Sequence, residues 1–329
     1  MKIAISGFGR IGRAAAKIAL EQSNVELVAI NDLGDINTLA HLLKYDSCYG
    51  IYNKEIRASE GSLIIGGKKI KFISEKEPAG LPWKDLGIDV VIESTGVFTE
   101  KEKAAAHIKA GTKKVIMSAP AKDEVTPTYV VGVNTDDYKG EEVISCASCT
   151  TNCITPIMKV LEDTFGIAKS LMTTIHSYTA DQNLVDGPHK DLRRARAAAI
   201  NIVPTTTGAA KAAYKTIPTL KDRFDGLAIR VPTPVVSLSD ITVLLKKKTT
   251  AEEINKTMAE AAKGKMKNII EVTSEPVVST DIIGNPHSAI VDLSLTQVID
   301  GDLVKIIAWY DNEWGYSNRL VELAGLINK

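Results

Sequence analysis

The apolar run Lys2–Ser6 (KIAIS) stops at three glycines, Gly7, Gly9 and Gly12, and continues as the helix-forming stretch RAAAKIALE. A β-run that ends in GxGxxG and opens a helix sets up a βαβ unit. The first glycine makes the tight turn, the second lets an anion approach the backbone, and the third lets helix pack on strand. The pattern continues to residue 145, with VELVAI, IDVVIE, KKVIMS, TYVVGV and EEVIS as further strand candidates between helical stretches. Between the second and third lies SLIIGGKKIKFI, two apolar runs split by Gly66 and Gly67, which predicts an inserted β-hairpin.

From Ser148 to Phe165 the chain has helical spacing with Ser148 as N-cap, while Pro156 falls deeper than a helix tolerates and predicts a kink or a later start. Residues 177–200 lack periodicity and predict a long ordered loop with a short helical end. Beyond it the alternation turns β-like with few short helices, which predicts a mostly antiparallel or mixed sheet. Leu320, Leu323, Ala324 and Ile327 recur at helical spacing in the tail. The fold expected is α/β: an N-terminal Rossmann-type parallel-sheet domain with a second, α+β catalytic domain. The expected bounds are residues 1–148 and 149–311, with 312–329 a helix packing back on the first domain.

With 329 residues the chain exceeds what one hydrophobic core usually serves, in keeping with two domains. Its 40 basic and 40 acidic side chains cancel, which argues against nucleic acid as the primary partner. Arg10 and Arg13 interrupt the apolar start, so it reads as folded protein rather than a secretory leader. No run of eighteen apolar residues predicts a membrane span. Of the four cysteines, Cys146, Cys149 and Cys153 crowd together and only Cys48 stands apart. That pattern does not suit a secreted disulfide framework and fits a reducing, cytoplasmic setting.

Asp32 follows the second strand, twenty residues after Gly12. A carboxylate there accepts hydrogen bonds from the adenosine ribose hydroxyls and repels a 2′-phosphate, so NAD is the cofactor expected, in preference to NADP. The competing role for Asp32 is a turn or N-cap. Cys149 should sit at a helix N-terminus, where free amides and the helix dipole favour a thiolate nucleophile. CxxCxxxC supplies too few ligands for a structural zinc, and no metal is expected. A redox pair of Cys146 and Cys149 is the other option, and Cys48 and Cys153 read as inert. His176 ends an apolar run and could pair with the thiol as base or ion-pair partner.

GFGRIGR, VAINDL, INTLAHLLKYDS, ESTGVF, SAPAKDE, ASCTTNC, IHSYTADQ, DLRRARAAA, PTTTGAAKA, RVPTP and WYDNEWGYSNR span the chain from first strand to last helix. Together they resemble the phosphorylating glyceraldehyde-3-phosphate dehydrogenases of glycolysis. The resemblance implies oxidation of D-glyceraldehyde 3-phosphate to 1,3-bisphosphoglycerate with NAD and inorganic phosphate. Cys149 would form a hemithioacetal and then a thioester, and His176 would activate the thiol and take the hydroxyl proton as hydride leaves. It implies that Thr179 and Arg230 hold the substrate phosphate, and that Ser148, Thr150, Arg194, Thr207 and Gly208 hold the attacking phosphate. Arg10, Ile11, Asp32, Lys76, Ser118 and Asn312 would contact NAD alongside Gly7, Gly9 and Gly12, with Asn312 facing the nicotinamide amide.

Arg193 and Arg196 read as surface residues, and Lys246–Lys248 as a solvated strand end. The family often has arginine at the position of Lys76 and more often a polar residue at that of Cys146. The resemblance also implies a homotetramer. An erythrose-4-phosphate dehydrogenase would share the same nucleophile, base and cofactor site. A non-catalytic NAD-binding scaffold is the alternative of another class, against which the intact Cys149 and His176 speak.

Overall fold

In a computed structural model that describes residues 1–328, the chain forms two compact units. One comprises Met1–Tyr129, Thr135–Ala147 and the chain from Ser317 onward, and the other comprises Val130–Asn134 and Ser148–Tyr316.

The first unit is built on an eight-stranded sheet. Its order is Val143–Ser145, Lys114–Met117, Val90–Glu93, Lys2–Ser6, Glu26–Asn31, Lys68–Ile73, Ser62–Ile65 and Ile56–Ser59. The first six run parallel, and Ile5 lies in register between Ile30 and Ile92. Strands buried on both faces read as near-continuous apolar runs. Val90–Glu93 is accordingly buried at every residue. The predicted hairpin is present: Ser62–Ile65 pairs antiparallel with Lys68–Ile73 through Gly66 and Gly67, both at positive φ. Ile56–Ser59 extends it by one further antiparallel strand.

TYVVGV is not a strand. Thr128 makes a single bridge to Ser145, after which the Asn134 side chain accepts the Val130 N–H and Gly132 at φ +79° turns the chain. The apolar side chains bury without pairing, Val130 at 0 % exposure.

The second unit holds a mixed sheet ordered Val203–Thr206, Phe224–Val231, Ile167–Ser177, Ser237–Leu245, Leu303–Tyr310, Ala289–Asp292 and Ile270–Thr273, with Gln297–Ile299 paired to Leu303–Tyr310. Ile167–Ser177 runs parallel to Phe224–Val231 and antiparallel to Ser237–Leu245. Ser237–Leu245 alternates buried and half-buried, and Ile241, Val243 and Leu245 join a core with Ile154, Ile157 and Leu161 of the helix Cys149–Thr164. That helix starts at Cys149 and is continuous through Pro156, so the later start is not observed. The Thr155 hydroxyl donates to the Thr151 carbonyl and the Asn152 amide to the Ser148 carbonyl, reinforcing the turn in which proline supplies no N–H.

The expectation of few short helices here needs correction. Ala251–Lys263 is a helix of 13 residues, capped by Thr250, whose hydroxyl accepts the Glu253 N–H, and anchored by the fully buried pair Ile254 and Met258. The long loop after Ser177 ends in the short helical turn Ala198–Ile200. The last helix, Trp314–Ile327, buries Leu320, Leu323, Ala324 and Ile327.

Candidate active site

In the first unit the glycine loop follows directly on Lys2–Ser6, and the helix Arg10–Glu21 begins at once. Gly7 lies at φ +91°, and a Cβ there would meet the Thr95 nitrogen at 2.5 Å. A Cβ on Gly12 would meet the Gly7 carbonyl oxygen at 2.0 Å, which is the helix-to-strand approach that requires the third glycine. Gly9 differs, because a Cβ there would meet no protein atom within 4 Å. It caps the helix without a side chain and lines a cavity of about 480 Å³. A bare helix N-terminus facing a cavity is an anion site.

Gly7, Asp32, Lys76, Thr95 and Phe98 line the same cavity. Asp32 accepts the Phe8 N–H at 2.6 Å on one oxygen and the Gly34 N–H at 2.8 Å on the other. It therefore serves as a turn residue while still presenting carboxylate lone pairs to the cavity. The N-cap of the following helix is Asp35 instead. The Arg10 guanidinium is engaged by Asp46 at 2.7 Å and lies over the Tyr49 ring, so a contribution from Arg10 to an anion falls to its main chain. Ser118 donates its N–H to the Glu93 carbonyl at the end of its strand. Glycine cradle, uncapped helix and carboxylate suit a dinucleotide's pyrophosphate and ribose.

The second unit holds the sulfur. Ala147, at φ +57°, turns the chain just before Ser148, a conformation that costs a non-glycine residue roughly 1–2 kcal/mol. The Ser148 hydroxyl accepts the Thr151 N–H at 3.1 Å and caps the helix, placing Cys149 in its first turn. Cys149 Sγ lies 3.4 Å from His176 Nε2. His176 Nδ1 is 2.7 Å from the Ser177 carbonyl oxygen, and a proton placed there leaves the Nε2 lone pair toward the sulfur.

Sheet register sets His176 beside Arg230, whose Nη1 lies 3.0 Å from both His176 Nδ1 and the Ser177 carbonyl. Burial pushes the Cys149 thiol up, against the opposing pull of the Arg230 charge and the Thr150 N–H. Burial first and the Arg230 charge second push His176 down to about 3. Burial thus disfavours charge on both groups, while the Arg230 charge favours it on the sulfur alone.

Arg194 is fixed by Asp181 at 2.5 Å, by the Thr205 hydroxyl at 3.0 Å and by the Thr206 carbonyl at 3.2 Å. It is thereby held to the segment that leads into Thr207 and Gly208, and Gly208 begins the helix Ala209–Thr216 without a side-chain cap. Thr179 opens the loop after His176, its carbonyl accepting the Gln182 N–H. Thr150 is buried and shares its hydroxyl with Tyr310 at 2.9 Å, so it supports the sulfur more than it reaches outward. Asn312 Oδ1 accepts hydroxyls from Ser177 and Ser237, each at 3.0 Å, which leaves its amide N–H groups as the available end. Arg193 is exposed and Arg196 pairs with Asp186 on the surface. Cys146 and Cys153 are buried thiols, and no disulfide joins any of the four cysteines.

Sequence reasoning did not single out Tyr310. Its ring meets His176 edge-on and its hydroxyl bridges Thr150 and Thr174. It lies in the motif WYDNEWGYSNR, whose other polar residue of interest, Asn312, stands two positions on.

Two family models match: residues 1–101 the glyceraldehyde 3-phosphate dehydrogenase NAD binding domain, and residues 148–312 the C-terminal domain of that family. The chain belongs to the glyceraldehyde-3-phosphate dehydrogenase family. It is 54% identical to the glyceraldehyde-3-phosphate dehydrogenase of Mycobacterium avium, covering 100% of this chain and 99% of that one. To the enzyme of Geobacillus stearothermophilus it is 53% identical over 99% of this chain and 98% of that one. Glyceraldehyde-3-phosphate dehydrogenase 2 of Trichormus variabilis is 54% identical over the same shares. As a member of this family the chain is an NAD-dependent oxidoreductase with a Rossmann-type domain. No described helix is long and apolar enough to cross a membrane.

Proposed function

We propose that the chain oxidises D-glyceraldehyde 3-phosphate to 1,3-bisphosphoglycerate with NAD and inorganic phosphate, and that Cys149 and His176 carry the chemistry. The observation that supports this best is Cys149 Sγ at 3.4 Å from His176 Nε2, at the start of a helix and with Arg230 beside the imidazole. The thiol gives its proton to Nε2 as the sulfur attacks the aldehyde carbon, and the imidazolium returns it to the carbonyl oxygen. His176 then takes the hemithioacetal hydroxyl proton as that carbon is oxidised to the thioester. NAD, when bound, supplies the two-electron acceptor. A phosphate oxygen attacks the thioester carbonyl, the C–S bond breaks, and Cys149 leaves as the thiolate opposite the imidazolium.

Arg230 and Thr179 hold the substrate phosphate. Arg230 Nε is buried with no partner among the described residues, a donor that an anion would satisfy. Arg194, Ser148, Thr207 and Gly208 hold the attacking phosphate, with Thr150 behind the sulfur. The first unit holds NAD through the main chain of Gly7, Gly9, Arg10, Ile11 and Gly12, and through Asp32, Lys76 and Ser118. The Asn312 amide donates to the nicotinamide carboxamide.

The protein acts in the cytoplasm as a homotetramer. Leu184, Val185, Leu192, Ile200 and Ile202 stand 71–81 % exposed in the long loop and its flank, an apolar set that neighbouring subunits would cover.

NADH formation from glyceraldehyde 3-phosphate should depend on inorganic phosphate, with erythrose 4-phosphate turned over far less well. Arg230→Ala should raise KM for the phosphorylated aldehyde far more than for unphosphorylated glyceraldehyde. Arg194→Ala should mainly blunt the response to phosphate. Turnover independent of phosphate, or a preference for erythrose 4-phosphate, would reject the assignment.

A further inference from the structure

Under the wall of the dinucleotide cavity runs a string of polar side chains that the proposed chemistry does not use. Trp83, His107 and Glu93 are buried at 0 %, 0 % and 3 % exposure. Trp83 Nε1 can only donate, so at 3.0 Å it fixes His107 Nδ1 as the acceptor and leaves the imidazole proton on Nε2. Nε2 then donates to Glu93 Oε2 at 2.9 Å. Glu93 Oε1 accepts the Thr95 N–H at 2.8 Å and also the Thr95 hydroxyl. The direction of every bond is forced: tryptophan to histidine to carboxylate, with Thr95 arriving from the other side.

The far end of the string is the cavity wall. Ser94, Thr95, Val97 and Phe98 line the cavity. Thr95 and Val97 are exposed, so apolar packing cannot fix them. The Thr95 oxygen accepts the Val97 N–H at 3.1 Å, carrying the hold of Glu93 around the turn. Phe98 rests edge-on against His107 with centroids 6.3 Å apart. The Ser94 hydroxyl donates to the Gly7 carbonyl at 2.7 Å, which ties this wall to the glycine loop.

We propose that His107 is a positioning residue for the dinucleotide: through Glu93 it holds the Ser94–Phe98 wall in its binding conformation and thereby sets affinity for NAD. This rests on NAD being the occupant of the cavity, which titration of the unaltered protein tests separately.

The forced polarity supplies the experiment. Glu93→Gln replaces two acceptor oxygens by one acceptor and one donor, and the Trp83 lock prevents His107 from turning its Nε2 into an acceptor. Trp83→Phe removes the lock, so in the double variant the imidazole can carry its proton on Nδ1 and accept the side-chain amide introduced by Glu93→Gln. NAD binding measured by calorimetry should weaken about tenfold in Glu93→Gln, with kcat at saturating NAD within about twofold. The double variant should regain affinity to within about threefold of Trp83→Phe alone. Amide exchange at Thr95 and Val97 in the protein without NAD should follow the same order.

Should Glu93→Gln not fold, His107→Leu and His107→Gln serve instead. The leucine variant should lose about tenfold in affinity, and the glutamine variant, which keeps an N–H toward Glu93, should stay within about threefold of the unaltered protein. Unchanged affinity in Glu93→Gln, or a double variant no tighter than Glu93→Gln, overturns the proposal. So does an equal loss in the two His107 variants.

Discussion

In the first unit the anion site is main chain, a glycine turn and an uncapped helix start, beside a carboxylate already held by the amides of Phe8 and Gly34. In the second unit the working groups are side chains drawn from separate elements. Cys149 comes from a helix start, His176 and Arg230 from neighbouring strands, and Tyr310 from a third strand. A main-chain site is specified wherever the chain is allowed to approach itself closely, and it fails when a Cβ is added. A side-chain site is specified by sheet register and fails when one atom is removed. The two should therefore break independently.

The largest expected effect is in the second unit. Cys149→Ser should lower turnover by at least about a thousandfold, because a hydroxyl at neutral pH is a far poorer nucleophile than a thiol. NAD affinity by calorimetry should stay within about twofold. A parallel loss of NAD binding would show that the halves are not independent.

Next comes the converse change. Gly12→Ala places a Cβ at 2.0 Å from the Gly7 carbonyl oxygen, so the loop or the helix must shift. Overpacking of this kind costs about 1–3 kcal/mol, and NAD binding should weaken roughly tenfold to a hundredfold. The rate at which iodoacetamide alkylates Cys149 should be unchanged. Unaltered NAD affinity would remove the glycine approach from the site.

This contrast also explains what the sequence made legible. GxGxxG, the strand before it and Asp32 lie within about thirty contiguous residues, and each glycine answers to a local steric demand. His176 and Arg230 are 54 positions apart, and their pairing depends on which strand lies beside Ile167–Ser177. Alternation fixes the face a residue occupies but not its neighbour across the sheet, so the role of Arg230 came only through family resemblance, while His176 stood out by its place at the end of an apolar run. TYVVGV has the apolarity of a strand, yet Gly132 and the Asn134 side chain turn it. The helix Ala251–Lys263 was announced by Thr250 and Glu253, a cap signature obscured by the β-like runs on either side. Pro156 is accommodated because Asn152 and Thr155 bond to carbonyls one turn back.

The smallest effect sharpens the comparison from inside the second unit. Burial pushes the Tyr310 hydroxyl well above its ordinary range, so it remains protonated and works as a hydrogen-bonding bridge rather than as an acid or base. Its partners are Thr150, next to the nucleophile, and Thr174, two residues before His176 on the same strand. Tyr310→Phe keeps the ring against His176 and removes only the bridge. Thr174 retains a long contact to the Leu238 carbonyl at 3.4 Å, which leaves the Thr150 hydroxyl as the group most disturbed. Leaving a buried hydroxyl unsatisfied costs about 1–3 kcal/mol, which should appear as a lowered thermal midpoint. Turnover should fall only a few-fold, through slight loss of alignment between sulfur and imidazole, with NAD affinity untouched. A loss approaching that of Cys149→Ser would mean that the Tyr310 hydroxyl takes part in the chemistry. An unchanged midpoint would mean that the two threonines find each other without it, and that this side-chain site tolerates the removal of an atom after all.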